Sequence, residues 1–253
     1  MAEAKNPVKA VETTISIIEA LKSQNGVGIA ELTEQVSVSK GAVHNHLSTL
    51  CQHNFASHKN GEYYLGLRFF EIGEYTKKQL TIYELAIPEI DKLAEETGEL
   101  ASLLVEENGR GIYVYRSRGD QSLKLDTEIG SWVPLHTTGL GKSILAHLPQ
   151  RRVDKIIDNH GLTELTNNTI TTREGLFEEL DDIRREGLAI DQEERTAGVV
   201  CVAAPIQTND GEVLGAVSVA GPVSRMKGET LESEIPNLVR NAAKVVGINA
   251  THA

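Results

Sequence analysis

The apolar residues between positions 29 and 65 are spaced in a way that admits few folds. Ile29, Leu32 and Val36 fall at helical spacing, Ser37-Val38 interrupts the pattern, and Val43, Leu47 and Leu50 form a second helical stripe. Ser39 stands where its side chain can cap that second helix. The run Phe55-Ala56-Ser57-His58-Lys59 then leads to Asn60-Gly61 and Glu62-Tyr63-Tyr64-Leu65. Asn-Gly between two short β-compatible runs predicts a type I′ hairpin. Upstream, Val8, Val11, Ile15, Ile18 and Leu21 predict an amphipathic helix that ends near Asn25-Gly26. A helix, a short helix, a turn, a third helix and a hairpin together make a winged helix-turn-helix.

The same region is chemically distinct. The chain carries 36 acidic residues among 253 and a formal net charge of -11, yet residues 35–61 contain no Asp or Glu and four of the eight histidines. An acid-free surface on an acidic chain suits an anionic partner, and double-stranded DNA is the commonest for this geometry. The helix over 39–53 is expected in the major groove, presenting Ser39, Lys40, Gly41, Ala42, Asn45, His46 and Thr49, with His58 and Lys59 at the hairpin tip. Asn45 can pair bidentately with adenine, and Lys40 and Lys59 can neutralise phosphates. His44 is expected to pack beside Val43, and Cys51 to act as a small core hydrophobe. His44-x-His46 and Cys51-x-His53 match no usual metal spacing, so no metal is expected. A winged helix used only for protein contacts is the alternative. With two fixed cations in the stretch, useful DNA affinity has to come from pairing two or more chains.

Residues 1–80 carry eight Lys/Arg and eight Asp/Glu, whereas residues 81–253 carry 17 and 28. That asymmetry predicts a winged helix over 1–66, a linker helix over 67–81 and a second domain over 82–253. Two cysteines 150 residues apart form no disulfide framework, no apolar run approaches ~18 residues, and the N-terminus lacks a signal-peptide pattern. The expectation is a soluble cytoplasmic protein. Abundant acid with only 13 lysines would suit the high-salt cytoplasm of a halophilic archaeon, and an ordinary acidic bacterial protein nearly as well.

In the second domain, helices are expected over 139–147, 150–159, 173–186 and 232–249. Strands are expected over 100–106, 111–116, 122–126, 188–191, 199–205 and 213–220. This is an α+β pattern, an antiparallel sheet with helices against it. Gly139-Leu140-Gly141-Lys142-Ser143 resembles part of a phosphate-binding loop, but the first glycine of the full pattern is replaced by His136. What remains is a helix N-terminus whose amides could hold a carboxylate, or a plain helix start capped by Thr137 or Thr138.

Three segments, GSWVPLHTTGLGKSILAHL (130–148), DQEERTAGVVCVAAPI (191–206) and GEVLGAVSVAGP (211–222), together resemble the isocitrate lyase regulator (IclR) family of transcription factors. The resemblance spans essentially the whole chain. It implies a winged helix, a linker helix and a C-terminal GAF-like domain that binds a small effector, often an organic or sugar-derived acid. It further implies dimers or tetramers on palindromic promoter sites of catabolic genes, with no cofactor. Matching positions imply an effector pocket of Gly139, Leu140, Asp191, Cys201 and Ser218. The Gly139 and Leu140 amides would meet the anionic end, Asp191 and Ser218 would bond other polar groups, and Cys201 would form a wall. Ala220 stands where some relatives carry a second polar residue, and Asn45-His46 replaces what is often Arg followed by an aliphatic residue. Two alternatives stand beside this reading: DNA binding without effector control, and an enzyme using Cys201 and His136 as nucleophile and base.

Overall fold

The computed structural model describes residues 4–125 and 127–252, and the chain divides into two compact units between Gln79 and Leu80. In the first unit, α1 (Lys9–Ser23), α2 (Ile29–Val36) and α3 (Lys40–Gln52) are followed by β1 (Ala56–Lys59), β2 (Glu62–Leu65) and α4 (Arg68–Lys78). Ser37, in the left-handed region at φ 53°, ends α2, and the Ser39 hydroxyl accepts from the Ala42 amide to start α3. Asn60 and Gly61 both have positive φ, as a type I′ turn requires. Val27 and Tyr63 exchange backbone hydrogen bonds at 3.1 and 2.9 Å, which ties the hairpin back to the start of α2. The core joins Ile17, Leu21, Leu32, Val43, Leu47, Leu50, Ala56 and Tyr63.

Two expectations change here. The stripe expected on α1 is mostly outside: Val8, Val11 and Ile15 are 61%, 55% and 53% exposed, while Ile17 and Leu21 are buried. The helix turns its Thr14, Ile17 and Leu21 side to the core and leaves the side of Val8, Val11 and Ile15 outside. His44 is exposed rather than packed, because the face buried by Val43, Leu47 and Leu50 ends short of it. The expected helix over 67–81 is α4 alone, which stops at Lys78. Phe69 meets Phe55 edge-on at 5.1 Å, and Arg68 donates to the His53 carbonyl.

The second unit contains α5 (Thr81–Thr97), β3 (Leu100–Glu107), β4 (Arg110–Arg118), β5 (Trp132–Pro134), a 3-10 turn (Leu135–Thr137), α6 (Gly139–His147), α7 (Gln150–His160) and α8 (Arg173–Glu186). It continues through β6 (Ala189–Gln192), β7 (Val199–Gln207), β8 (Val213–Pro222), a π-helical turn (Thr230–Glu234) and α9 (Ile235–Thr251). Six strands form one antiparallel sheet in the order β5-β4-β3-β8-β7-β6. Strand alternation sorts its side chains. Leu103, Val202, Val217 and Val219 pack under α5 and α9, and Leu104, Ala203 and Ala216 under α6, α7 and α8. The strand expected over 122–126 is absent at 122–125, which is loop, and Asp126 lies outside the described residues. The short β5 was not expected; three residues carry too little alternation to be read.

Candidate functional site

A cavity of about 370 Å³ lies in the second unit, on the sheet face that carries α6. Its floor follows from register. Arg116 pairs with Ser102, and Ser102 with Ser218; one row over, Asp191 pairs with Cys201, and Cys201 with Ala220. Residues at the same pleat position on neighbouring strands share a face, so these six side chains converge from five strands. Thr138 and Leu140 close one side from α6, and residues 124, 125 and 127 approach from the loop after β4.

One irregularity shapes the wall. Leu103 pairs with Tyr115 and Leu104 with Tyr113, so Val114 is an extra residue in β4. Simple alternation would put Tyr113 and Arg116 on opposite faces. The bulge brings both to the cavity, and the Arg116 guanidinium lies 4.6 Å from the Tyr113 ring centroid. Arg116 donates to Ser102 Oγ at 3.2 Å and to the Thr127 carbonyl and hydroxyl. Burial lowers the pKa of Arg116 and pushes the Tyr113 phenol up to about 12.

Of the residues expected around an effector, Leu140, Asp191, Cys201 and Ser218 line this cavity, and Gly139 does not. A Cβ on Gly139 would sit 3.4 Å from the Ala189 and Cys201 carbonyl oxygens, so this glycine faces the sheet. A Cβ on Gly141 would fall 2.1 Å from the Leu135 oxygen, which makes glycine obligatory where α6 starts against the 3-10 turn. The Gly141 amide is taken by Thr138 Oγ1 at 2.9 Å, one of the two cappings the sequence left open. The phosphate-loop resemblance therefore has a packing cause.

Lys142 completes that account. It is fully buried, and its Nζ donates to Glu194 Oε1 at 2.6 Å, Glu179 Oε1 at 2.7 Å and the Ile190 carbonyl at 3.0 Å. Burial opposes its charge, but the two glutamates outweigh that and hold its pKa above the ordinary lysine range. Asp191 Oδ1 accepts the Glu194 amide at 2.8 Å. Burial first, and the nearby Glu194 charge second, raise Asp191 from 3.8 to about 7. Cys201 is pushed up to about 12, chiefly by burial.

Sequence reasoning missed Tyr113, Arg116, Lys124 and Arg195 on the cavity. Arg116 was visible as a charge inside an apolar strand, but Tyr113 depended on the bulge.

On the first unit, Lys40, Gly41, Asn45 and Thr49 are exposed on α3, Ala42 is half-buried, and Ser39 is spent as the cap. His46 turns inward: its Nδ1 lies 2.8 Å from Thr14 Oγ1 on α1. His44, Ser48 and Gln52 share the outward face instead. His58 and Lys59 are exposed at the hairpin, with the His58 ring 4.4 Å from that of Tyr63.

These features have close counterparts. Residues 75–247 match the family model for the bacterial transcriptional regulator IclR C-terminal domain, and residues 10–59 match the IclR helix-turn-helix domain. The chain belongs to the IclR family of transcriptional regulators. It is 33% identical to the probable HTH-type transcriptional regulator ArcR of Halobacterium salinarum, over 95% of this chain and 93% of that protein. The crystal structure of the Thermotoga maritima IclR superposes with a TM-score of 0.81 at 26% identity, over 96% of this chain and 99% of that one. An IclR homologue from Microbacterium hydrocarbonoxydans complexed with 4-hydroxybenzoate shares the fold, with a TM-score of 0.83 at 17% identity over 96% and 99%. This IclR-family chain is thus a DNA-binding transcriptional regulator with an effector-binding domain. Among the described residues no helix is long and apolar enough to cross a membrane.

Proposed function

We propose that this regulator senses a small carboxylic acid in the 370 Å³ cavity and controls catabolic genes by binding a palindromic promoter site as a dimer or tetramer in the cytoplasm. The observation that carries the effector reading is the cavity wall. Arg116, Lys124 and Arg195 supply positive charge, and Ser102, Thr138 and Ser218 supply hydroxyls. A guanidinium matches a carboxylate in shape as well as charge. In this reading the anion meets the cationic side of the cavity, where Arg116 and Arg195 stand, rather than the α6 amides. Asp191 and Ser218 bond the effector's other polar groups, while Leu140 and Cys201 contact its carbon skeleton.

For DNA, we assign the outward face of α3 to the major groove, with Lys40, Gly41, Asn45 and Thr49 retained from the sequence reading and His44 and Ser48 added. His58 and Lys59 approach backbone or minor groove. His46 supports α3 from behind, through Thr14. The cavity favours a sensor over an enzyme: a thiol pushed up to about 12 is the reverse of an activated nucleophile. His136 is engaged with the Thr163 carbonyl at 3.0 Å, and burial lowers its pKa.

Electrophoretic mobility shift on the promoter regions flanking the gene, with and without a panel of organic and sugar acids, tests this reading. A retarded band that an acid strengthens or releases is the expected result. DNA binding indifferent to every acid would leave a regulator without effector control.

A further inference from the structure

The cavity holds more positive charge than one carboxylate can answer. Arg116 and Arg195 both border it, and both act through space on the Tyr113 phenol and on each other. Among the described residues, Arg116 donates only to the neutral oxygens of Ser102 and Thr127. Neither guanidinium has a carboxylate partner among the described residues. Lys124 adds a third cation at an exposed position.

The one acid on the wall among the described residues does not offset them. Asp191 directs Oδ1 to the Glu194 amide and lies within the field of Glu194 and Lys142. Its carboxyl titrates at about 7, so near neutrality a large share of it carries no charge. The Tyr113 hydroxyl, on a side chain only 5% exposed, has no hydrogen-bond partner among the described residues and is available to a ligand. Half-buried guanidiniums left without counter-charge are costly, and two of them in one small cavity call for two anionic groups.

We propose that the effector is a short-chain dicarboxylate, with one carboxylate on Arg116 and Tyr113, the other on Arg195, and the carbon skeleton along Leu140, Cys201 and Ala220. This inference rests on the effector reading above and names the class of acid. A monocarboxylate leaves one guanidinium uncompensated in the cavity. Lys124 at the exposed side steers dianions inward and makes their binding depend on salt.

Isothermal titration calorimetry on the full chain decides it, using matched pairs: succinate against succinamate, glutarate against its monoamide, and adipate against its monomethyl ester. At least one dianion is expected to bind about tenfold or more tighter than its singly charged partner, the worth of one charge-assisted hydrogen-bonded pair. Arg195→Gln should abolish that ratio by weakening the dianion far more than the monoanion. Arg116→Gln should weaken both members of a pair. Equal binding within every pair overturns the dicarboxylate proposal and leaves a carboxylate sensor standing, as does a ratio that survives Arg195→Gln. Absence of binding by every acid overturns both.

Discussion

Lys142 Nζ lies 2.6 Å from Glu194 Oε1, and this buried bond joins two sequence motifs 52 residues apart. The lysine comes from the glycine-rich start of α6, and the glutamate from the segment that also carries Asp191 and Arg195. Glu194 Oε2 is buried with no hydrogen-bond partner among the described residues, so Lys142 is the chief compensation for that carboxylate. Removing one partner of such a pair leaves an uncompensated charge in the interior.

Lys142→Met should therefore destabilise the second unit by about 3–5 kcal/mol. Glu194→Gln in the same chain should recover part of the loss. Thermal unfolding of the three proteins measures both; a single Lys142→Met variant as stable as the parent would remove the structural role assigned to the pair.

Asp191 makes stability depend on pH. Its folded value, about 7, lies above its ordinary 3.8, so the neutral carboxyl is the form that favours folding. That contribution is fully present below the unfolded value and is lost as pH rises through about 7. Asp191→Asn keeps an oxygen for the Glu194 amide and should be the more stable protein above neutrality, by on the order of a few kcal/mol. The difference should shrink towards pH 4. Denaturant midpoints at pH 4.5, 6 and 8 give the profile, and a gap that does not widen with pH contradicts it.

Asn45 and His46 are neighbours in sequence with opposite assignments. Asn45→Ala should weaken binding to the preferred operator by about 1–3 kcal/mol and relax selectivity at one base pair. Thr14→Val, which strips His46 of its partner, should destabilise the first unit by the worth of one hydrogen bond, about 1 kcal/mol, read by thermal unfolding, and leave base selectivity alone. A selectivity change in the Thr14 variant would return His46 to the groove.

Lys59 at the hairpin is assigned to a phosphate. Lys59→Ala should weaken binding to all DNA sequences alike and reduce the slope of log affinity against log salt by about one per bound chain. An unchanged slope places the hairpin off the backbone.

Cys201 should resist alkylation in the folded protein, since burial keeps its thiol protonated at neutral pH. Mass spectrometry after native iodoacetamide treatment is expected to find Cys201 unmodified and to find it labelled once the chain is unfolded. Rapid native labelling would revive the nucleophile alternative.

Much of this molecule is local, and what is local was legible. The Val43/Leu47/Leu50 period, the Ser39 cap and the Asn60-Gly61 turn determine the winged helix, because each acts within a few residues. The apolar runs 199–205 and 213–220 likewise put Cys201 and Ser218 on strands of one sheet. The fate of α1 was not local: Val11 and Ile17 lie on different sides of one helix, and only tertiary packing decides which is covered.

Tertiary structure settled the cavity. Lys142 reads in sequence as part of a phosphate loop, and it is a buried ion-pair partner because β6 and α8 bring Glu194 and Glu179 to it. Tyr113 and Arg116, three residues apart, belong on opposite faces of a regular strand. They meet because the ladder between β3 and β4 slips by one residue at Val114. A bulge depends on how two strands pair, which neither strand's own sequence encodes. The chain alone determined what kind of protein this is; the pairing of β3 with β4 decided where its cations stand.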